Sequence, residues 1–352
     1  MALDARFYKD AVDGRPSEFG TIFEPSEHWL SRLPTEDVID PDLPIVDAHH
    51  HLWIEPYAYD RAAFEADVDS GHRVDATVAV ECHVAYRRTG PEALYPVGET
   101  EFLAESVADQ HGLTKVAAGI VGYADLSLGA EIEPVLAGHI EAGRGRFRGV
   151  RFSTGWDSSP DVANTQTGER PGMLRESRTI EAARVLARNG LTLDAWLFHP
   201  QLADVAVLAD AVPELNIVVD HCGGPLGYGP YARHRSSHFE RWRAGIDLVA
   251  RRPNVWCKVG GLLARGAAID YVRAPAPPTS DDLARTWFPW LDACVEAFGP
   301  DRCMFESNFP VDKMGTTYRV LWNAYKKFAS AASAYERARL FSGSARAFYR
   351  LG

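Results

Sequence analysis

The residues best suited to chemistry stand together in IVDAHHHLW, residues 45–53. On an extended strand, residues two apart share a face. His49 and His51 then point the same way, with Asp47 beneath them on that side, and His50 points away into a supporting role. Two imidazoles aimed into one cavity are natural ligands for Zn²⁺ or a similar ion. The alternative is a pair of core histidines, which would need polar partners to offset burial. Two charged residues also sit within apolar runs. Arg151, in GVRF, suits a bidentate grip on a carboxylate. A buried ion pair with an acid on a neighbouring strand is the competing reading. Glu81, in VAVECHV, needs a partner, a metal or a proton, and Arg151 and the metal are both candidates. Arg87 and Arg88, just beyond it, are weaker candidates for holding a carboxylate.

These side chains must be positioned by the elements around them. Short β-rich runs recur at 45–49, 76–82, 116–121, 149–152, 192–197, 217–219, 255–259 and 303–305. Several, such as ATVAVEC and NIVVD, are nearly continuous apolar runs, as parallel strands covered on both faces are. Helical patterns fall at 99–111, 131–142, 180–188, 201–211, 239–250 and 281–297, and a last pair spans 318–349. Eight strands alternating with helices predict an α/β fold, a (β/α)₈ TIM barrel. An open doubly wound sheet is the alternative, but no Gly-rich phosphate turn follows the first strand. Residues 1–43 read as an N-terminal extension with one short helix at 26–33, capped by Ser26. Residues 44–352 form the barrel. Three long polar segments, 153–178, 222–238 and 262–280, follow strands and would rim the catalytic face.

Composition narrows the function. The chain has 352 residues, 46% hydrophobic and 24% charged, an ordinary globular balance. A formal net charge of −11 argues against nucleic acid and against anionic membranes as partners. It leaves room for an acidic small molecule held by one or two arginines. Five widely spaced cysteines without a CxxC pair fit a reduced, cytoplasmic compartment, as small buried hydrophobes. No signal peptide or membrane-spanning run is visible. Association into a homo-oligomer is left open.

DAHHHLW resembles the HxH motif on the first strand of the amidohydrolase superfamily. The branch it is most similar to contains lactonases acting on 2-pyrone-4,6-dicarboxylate and on sugar-acid lactones. FRGVRF, FHPQL, VVDHCGGP and MFESNFPVDK extend the resemblance, in order and each at a strand end. The resemblance implies a site made of His49, His51 and a third histidine, His199, at the end of the fifth strand. It implies that His221, at the end of the sixth, faces substrate or a metal-bound water. Asp220 alternates to the other side as a structural residue. A divalent metal, zinc first, is implied, although some lactonases of this branch work without one.

The eighth strand departs from the family pattern. Where relatives carry the aspartate that takes the proton from water, this chain has Asn308, which cannot act as a base. Glu306, two residues earlier, shares its face. Either Glu306 (or Asp312) is a relocated base, or a metal activates water while His221 moves the proton, or hydrolysis is absent. The leading expectation is opening of a lactone, a carboxylated one, by activated water, with Arg151 anchoring the acid group. The alternatives are non-oxidative decarboxylation of an aromatic or unsaturated acid, and a non-catalytic binding barrel.

Overall fold

The computed structural model of the protein describes residues 24–54, 57–110, 112–160, 162, 170–227, 229–231, 235–263 and 274–352. Eight parallel strands, β1 (Ile45–His50), β2 (Val74–Val80), β3 (Lys115–Tyr123), β4 (Phe147–Ser153), β5 (Thr192–Trp196), β6 (Ile217–Val219), β7 (Val255–Val259) and β8 (Cys303–Phe305), pair in sequence order. Just beyond β8 the chain returns to β1. Asn308 N–H donates to the His49 carbonyl at 2.8 Å, and His51 N–H to that of Phe309 at 2.7 Å. The sheet is thereby closed into a (β/α)₈ barrel.

Helices α1 (Glu27–Leu30), α2 (Arg61–Val68), α3 (Val97–Ser106), α4 (Glu133–Ala142), α5 (Ser177–Arg188), α6 (Leu202–Ala211), α7 (Arg235–Ala250), α8 (Ser280–Phe298), α9 (Tyr318–Phe328), α10 (Ala334–Ala338) and α11 (Ser344–Tyr349) complete the described fold. Sequence reading misses α2, a two-turn helix whose start is set by Asp60 accepting from Ala63 N–H at 3.0 Å. At eight residues it is too short for periodicity to stand out. α1 is shorter than expected, four residues with Ser26 as its N-cap. The first 23 residues of the extension, and parts of all three long polar segments, lie outside the described residues.

The described part of the extension lies along the barrel's last helices. Glu36 accepts from Ser280 N–H at 2.9 Å at the start of α8, and from Asn323 Nδ2 on α9 at 3.0 Å. Inside the barrel, Val46, Ala48, Ala76, Val78, Val80, Val121, Val218 and Met304 pack with Phe348, Tyr349 and Leu351. The C-terminal helix therefore fills the end where the strands begin, and the polar side chains gather towards the other end. Cys222, Cys257, Cys294 and Cys303 are buried and Cys82 half-buried, and none forms a disulfide.

Candidate active site

The site begins with an irregularity in β1. Asp47 pairs with Thr77 and His50 with Ala79, so three residues of β1 span two of β2. A bulge of this kind re-aims the side chains that follow it. Asp47, ahead of the bulge, lies on the outside between the inward Val46 and Ala48, and the bulge puts His49 on the opposite side from it, contrary to the shared face expected from sequence. Its carboxylate accepts from Ser307 N–H at 2.8 Å and from the Tyr318 hydroxyl, on α9, at 3.0 Å. His50 also faces outward, stacked on Phe64 at 3.9 Å and bonded through Nε2 to the Thr77 hydroxyl at 2.8 Å. His49 and His51 turn inward together, their Nε2 atoms 3.1 Å apart.

Both inward histidines are buried, and burial, with Lys258 beside His49 and Arg151 near His51, holds their pKa values well below the usual imidazole range. They are neutral, and their partners assign the protons. Val80 O can only accept, so His51 Nδ1, 2.8 Å away, carries the hydrogen and Nε2 the lone pair. Lys258 Nζ can only donate, and Glu306 Oε2, 3.2 Å from the same nitrogen, makes no hydrogen bond to it, so His49 Nδ1, 3.0 Å from the ammonium, is the acceptor and its hydrogen is on Nε2. The His49 Nε2–H then donates to His51 Nε2, giving one continuous chain from Lys258 to Val80.

Lys258 is fully buried on β7. Its ammonium lies 2.6 Å from Asp194 Oδ2 and 3.0 Å from Asp220 Oδ1. Burial would lower its pKa, but Asp194, Asp220 and Glu306 together raise it, so it stays charged. Asp220 therefore faces the interior, which corrects the outward placement expected for it. β6 shows why: Val218 belongs to the barrel filling, and two residues on the chain points inward again. His221 and Cys222 then adopt left-handed backbone (φ +52° and +54°), which keeps His221 inward as well.

Glu306 reaches the site directly. Its Oε1 lies 2.9 Å from His221 Nδ1 and its Oε2 3.2 Å from His49 Nδ1. Burial would lower the His221 pKa, but the charge of Glu306 and its hydrogen bond outweigh that and raise it. Two glycines make room for this contact. A Cβ on Gly260 would sit 2.5 Å from Glu306 Cγ, and one on Gly261 (φ +63°) 2.1 Å from His221 Nδ1. Asn308, also left-handed (φ +52°), turns its amide to Asp312 Oδ1 at 2.9 Å. Burial, only partly offset by His221, pushes the Asp312 carboxyl up to about 7.

The remaining expected residues lie to the sides. Arg151 Nε donates to Glu81 Oε1 at 2.6 Å, and its Nη2 to the Glu81 carbonyl. The arginine and the glutamate proposed from sequence thus hold each other, both nearly inaccessible. Burial would lower the Arg151 pKa, but Glu81 raises it. The other oxygen of Glu81 is 3.4 Å from Nε2 of His83, an exposed histidine with φ +66° that sequence reading passed over. His199 is not brought into the histidine pair. It sits on the loop after β5, edge-on to Tyr231 at 5.2 Å, and its Nδ1 accepts from Leu226 N–H at 3.2 Å. Its hydrogen is therefore on Nε2, and burial lowers its pKa to about 4. As a neutral donor His199 is unsuited to the ligand role expected for it. Lys258 and Asp194 were also missed, although a charge within VWCKV and within LTLDAW is a readable signal of a buried pair.

Among the described residues, His49, His221 and Glu306 are the group that brings three metal-type donors together, within 4.8 Å of one another. The spacing suits an ion, but the protons do not. Nδ1 of His49 is occupied by the Lys258 ammonium and Nε2 bears a hydrogen, so neither nitrogen offers the lone pair a ligand needs. As arranged, the residues do not fit a resident ion.

The family model described as amidohydrolase matches residues 46–351. Uncharacterized protein y4mH of Sinorhizobium fredii is 33% identical over 333 residues, covering 88% of this chain and 99% of its own. An L-fucono-1,5-lactonase of Burkholderia multivorans is 29% identical over 326 residues, covering 87% of this chain and 96% of its own. A crystal structure of a Burkholderia multivorans amidohydrolase with bound zinc superposes with a TM-score of 0.66 at 25% identity, covering 88% of this chain and 99% of that one.

Proposed function

This chain belongs to the amidohydrolase family, and from that premise we propose that it opens a lactone, with Glu306 and His221 acting as a pair on the attacking water. The observation that carries the reading is the 2.9 Å contact between Glu306 Oε1 and His221 Nδ1 in a buried site. A carboxylate on Nδ1 places the ring's hydrogen there and leaves the Nε2 lone pair as a base. Water attacks the ring carbonyl carbon as its proton passes to His221 Nε2. Glu306 stabilises the imidazolium that results. The ester C–O bond then breaks, and the imidazolium returns the proton to the departing alkoxide, yielding a hydroxy acid. The carboxylate missing at Asn308 is thus supplied two residues earlier, with a histidine interposed between it and the water. No step is assigned to a metal ion, because both nitrogens of His49 are engaged.

The same geometry favours an uncharged lactone over the carboxylated one expected from sequence. Arg151, the cation singled out to hold a substrate carboxylate, is already neutralised by Glu81. Lys258 is neutralised by Asp194 and Asp220. His199 Nε2–H, next to the Tyr231 ring, is a donor suited to a hydroxyl or ring oxygen. The name of the Burkholderia multivorans relative, L-fucono-1,5-lactonase, points to the same kind of compound. The test follows acid release in weak buffer with an indicator dye. Uncharged sugar 1,5-lactones, L-fucono-1,5-lactone among them, should be turned over with higher kcat/KM than 2-pyrone-4,6-dicarboxylate. Preference for the dicarboxylate would refute the substrate charge. Release of CO₂ from an aromatic acid, with no lactone opened, would replace hydrolysis by decarboxylation.

A further inference from the structure

We infer that Lys258 is a positioning residue that fixes the tautomer of His49 and, by doing so, keeps a divalent ion from the histidine pair. The inference stands on the hydrogen bonds of the site and is independent of which substrate is opened.

Lys258 is held from several sides. Asp194 takes one of its hydrogens, at 2.6 Å, and Asp220 Oδ1 stands 3.0 Å away as an ion pair. Tyr349, from the last turn of α11, donates its hydroxyl to the same Asp194 oxygen at 2.7 Å and sets its ring 5.7 Å from the ammonium. The C-terminal helix therefore reaches through the barrel floor to the group that supports the site. A second hydrogen points at His49 Nδ1, 3.0 Å away.

An ion between His49 and His51 would need the lone pair of His49 Nε2. The hydrogen there would have to leave or move to Nδ1, where it would meet an ammonium hydrogen. A fixed positive charge would also stand one imidazole ring away from the dication. Partners of metal-binding histidines ordinarily accept a hydrogen bond from the ring's second nitrogen, which strengthens the ligand. Lys258 does the reverse. His51, which donates Nδ1–H to Val80 O, has the usual arrangement, so the obstacle lies on His49 alone.

The test uses the full-length chain. Zinc affinity is measured by competition with a chromophoric chelator, and zinc content by atomic emission after dialysis against chelator. Lys258→Met should bind zinc about 10- to 100-fold more tightly than the unmodified protein, the range over which such partners change metal affinity. Equal affinity in the two, or stoichiometric zinc retained by the unmodified protein, would overturn the inference. Because removing Lys258 leaves two buried carboxylates unpaired, a double variant, Lys258→Met with Asp194→Asn, guards against a chain that fails to fold. A third measurement needs no change at Lys258. Long-range ¹⁵N–¹H correlation spectra should show His49, assigned by loss of its signals in His49→Gln, as the Nε2–H tautomer. The Nδ1–H tautomer would overturn the inference.

Discussion

Replacing Glu306 by Gln is the sharpest perturbation of the proposed mechanism. The carboxylate is fully buried, 2.9 Å from His221 Nδ1 and 3.2 Å from His49 Nδ1. Glutamine keeps the size and one acceptor but removes the charge that stabilises the His221 imidazolium. A hydrogen bond to a charged group contributes about 1.5–3 kcal/mol. At about 1.4 kcal/mol per tenfold, kcat should fall roughly 10- to 150-fold. A second effect has a definite sign. Glu306 raises the pKa of His221, so its loss lowers that pKa. His221 acts as base only when unprotonated, so the acidic limb of kcat/KM should move to lower pH in the variant. Initial rates of lactone opening across pH, with folding checked by circular dichroism, measure both effects. An unchanged kcat together with an unmoved acidic limb would refute the role of the pair.

Other expectations follow from the same geometry. Gly261→Ala places a Cβ against His221 at a left-handed position, and should abolish most lactone opening while leaving the fold detectable. Normal turnover would show that His221 can move without consequence. Arg151→Met leaves Glu81 buried without its partner and should cost about 3–5 kcal/mol of stability, read by denaturant unfolding. A loss near zero would mean that the pair is not formed. His139, on α4, donates Nε2–H to Tyr123 O at 2.9 Å, and its Nδ1 lies 2.8 Å from the Thr100 hydroxyl; burial lowers its pKa to about 4. Its folded pKa lies below the unfolded value, so the unfolded chain binds the extra proton and this contribution is lost as pH falls below about 6.5. The stability deficit of His139→Gln at pH 7 should therefore shrink by roughly 2 kcal/mol at pH 5. A deficit independent of pH would contradict a neutral, buried His139.

Much of this architecture is legible in the chain itself, because it is written locally. A strand buried on both faces must be apolar along its length, and a helix laid over it must repeat its apolar residues every turn. The alternation of eight such strands with helices therefore points to the barrel. The position of IVDAHHHLW at the end of the first strand points to its mouth. The exchange of acid and amide between Glu306 and Asn308 is also visible in one short block, and simple alternation keeps Glu306 on the inner face.

What the sequence by itself could not determine is who meets whom across the barrel. Lys258 and His49 are 209 residues apart in the chain yet share a hydrogen bond. That contact settles a proton on His49 Nε2, which no motif encodes. A one-residue bulge puts His49 on the opposite side from Asp47, and left-handed residues at 221 and 308 re-aim the ends of β6 and β8. Each breaks the period of two on which side-chain direction is inferred. For Arg151 and Glu81 the sequence leaves a substrate role and a mutual ion pair both open, and only the closed sheet, which brings them together, decides for the pair. Residue types and their spacing determined that a histidine site lies at a barrel mouth. The tertiary structure alone decided its charges and protons, because these depend on partners that only folding brings within hydrogen-bond range.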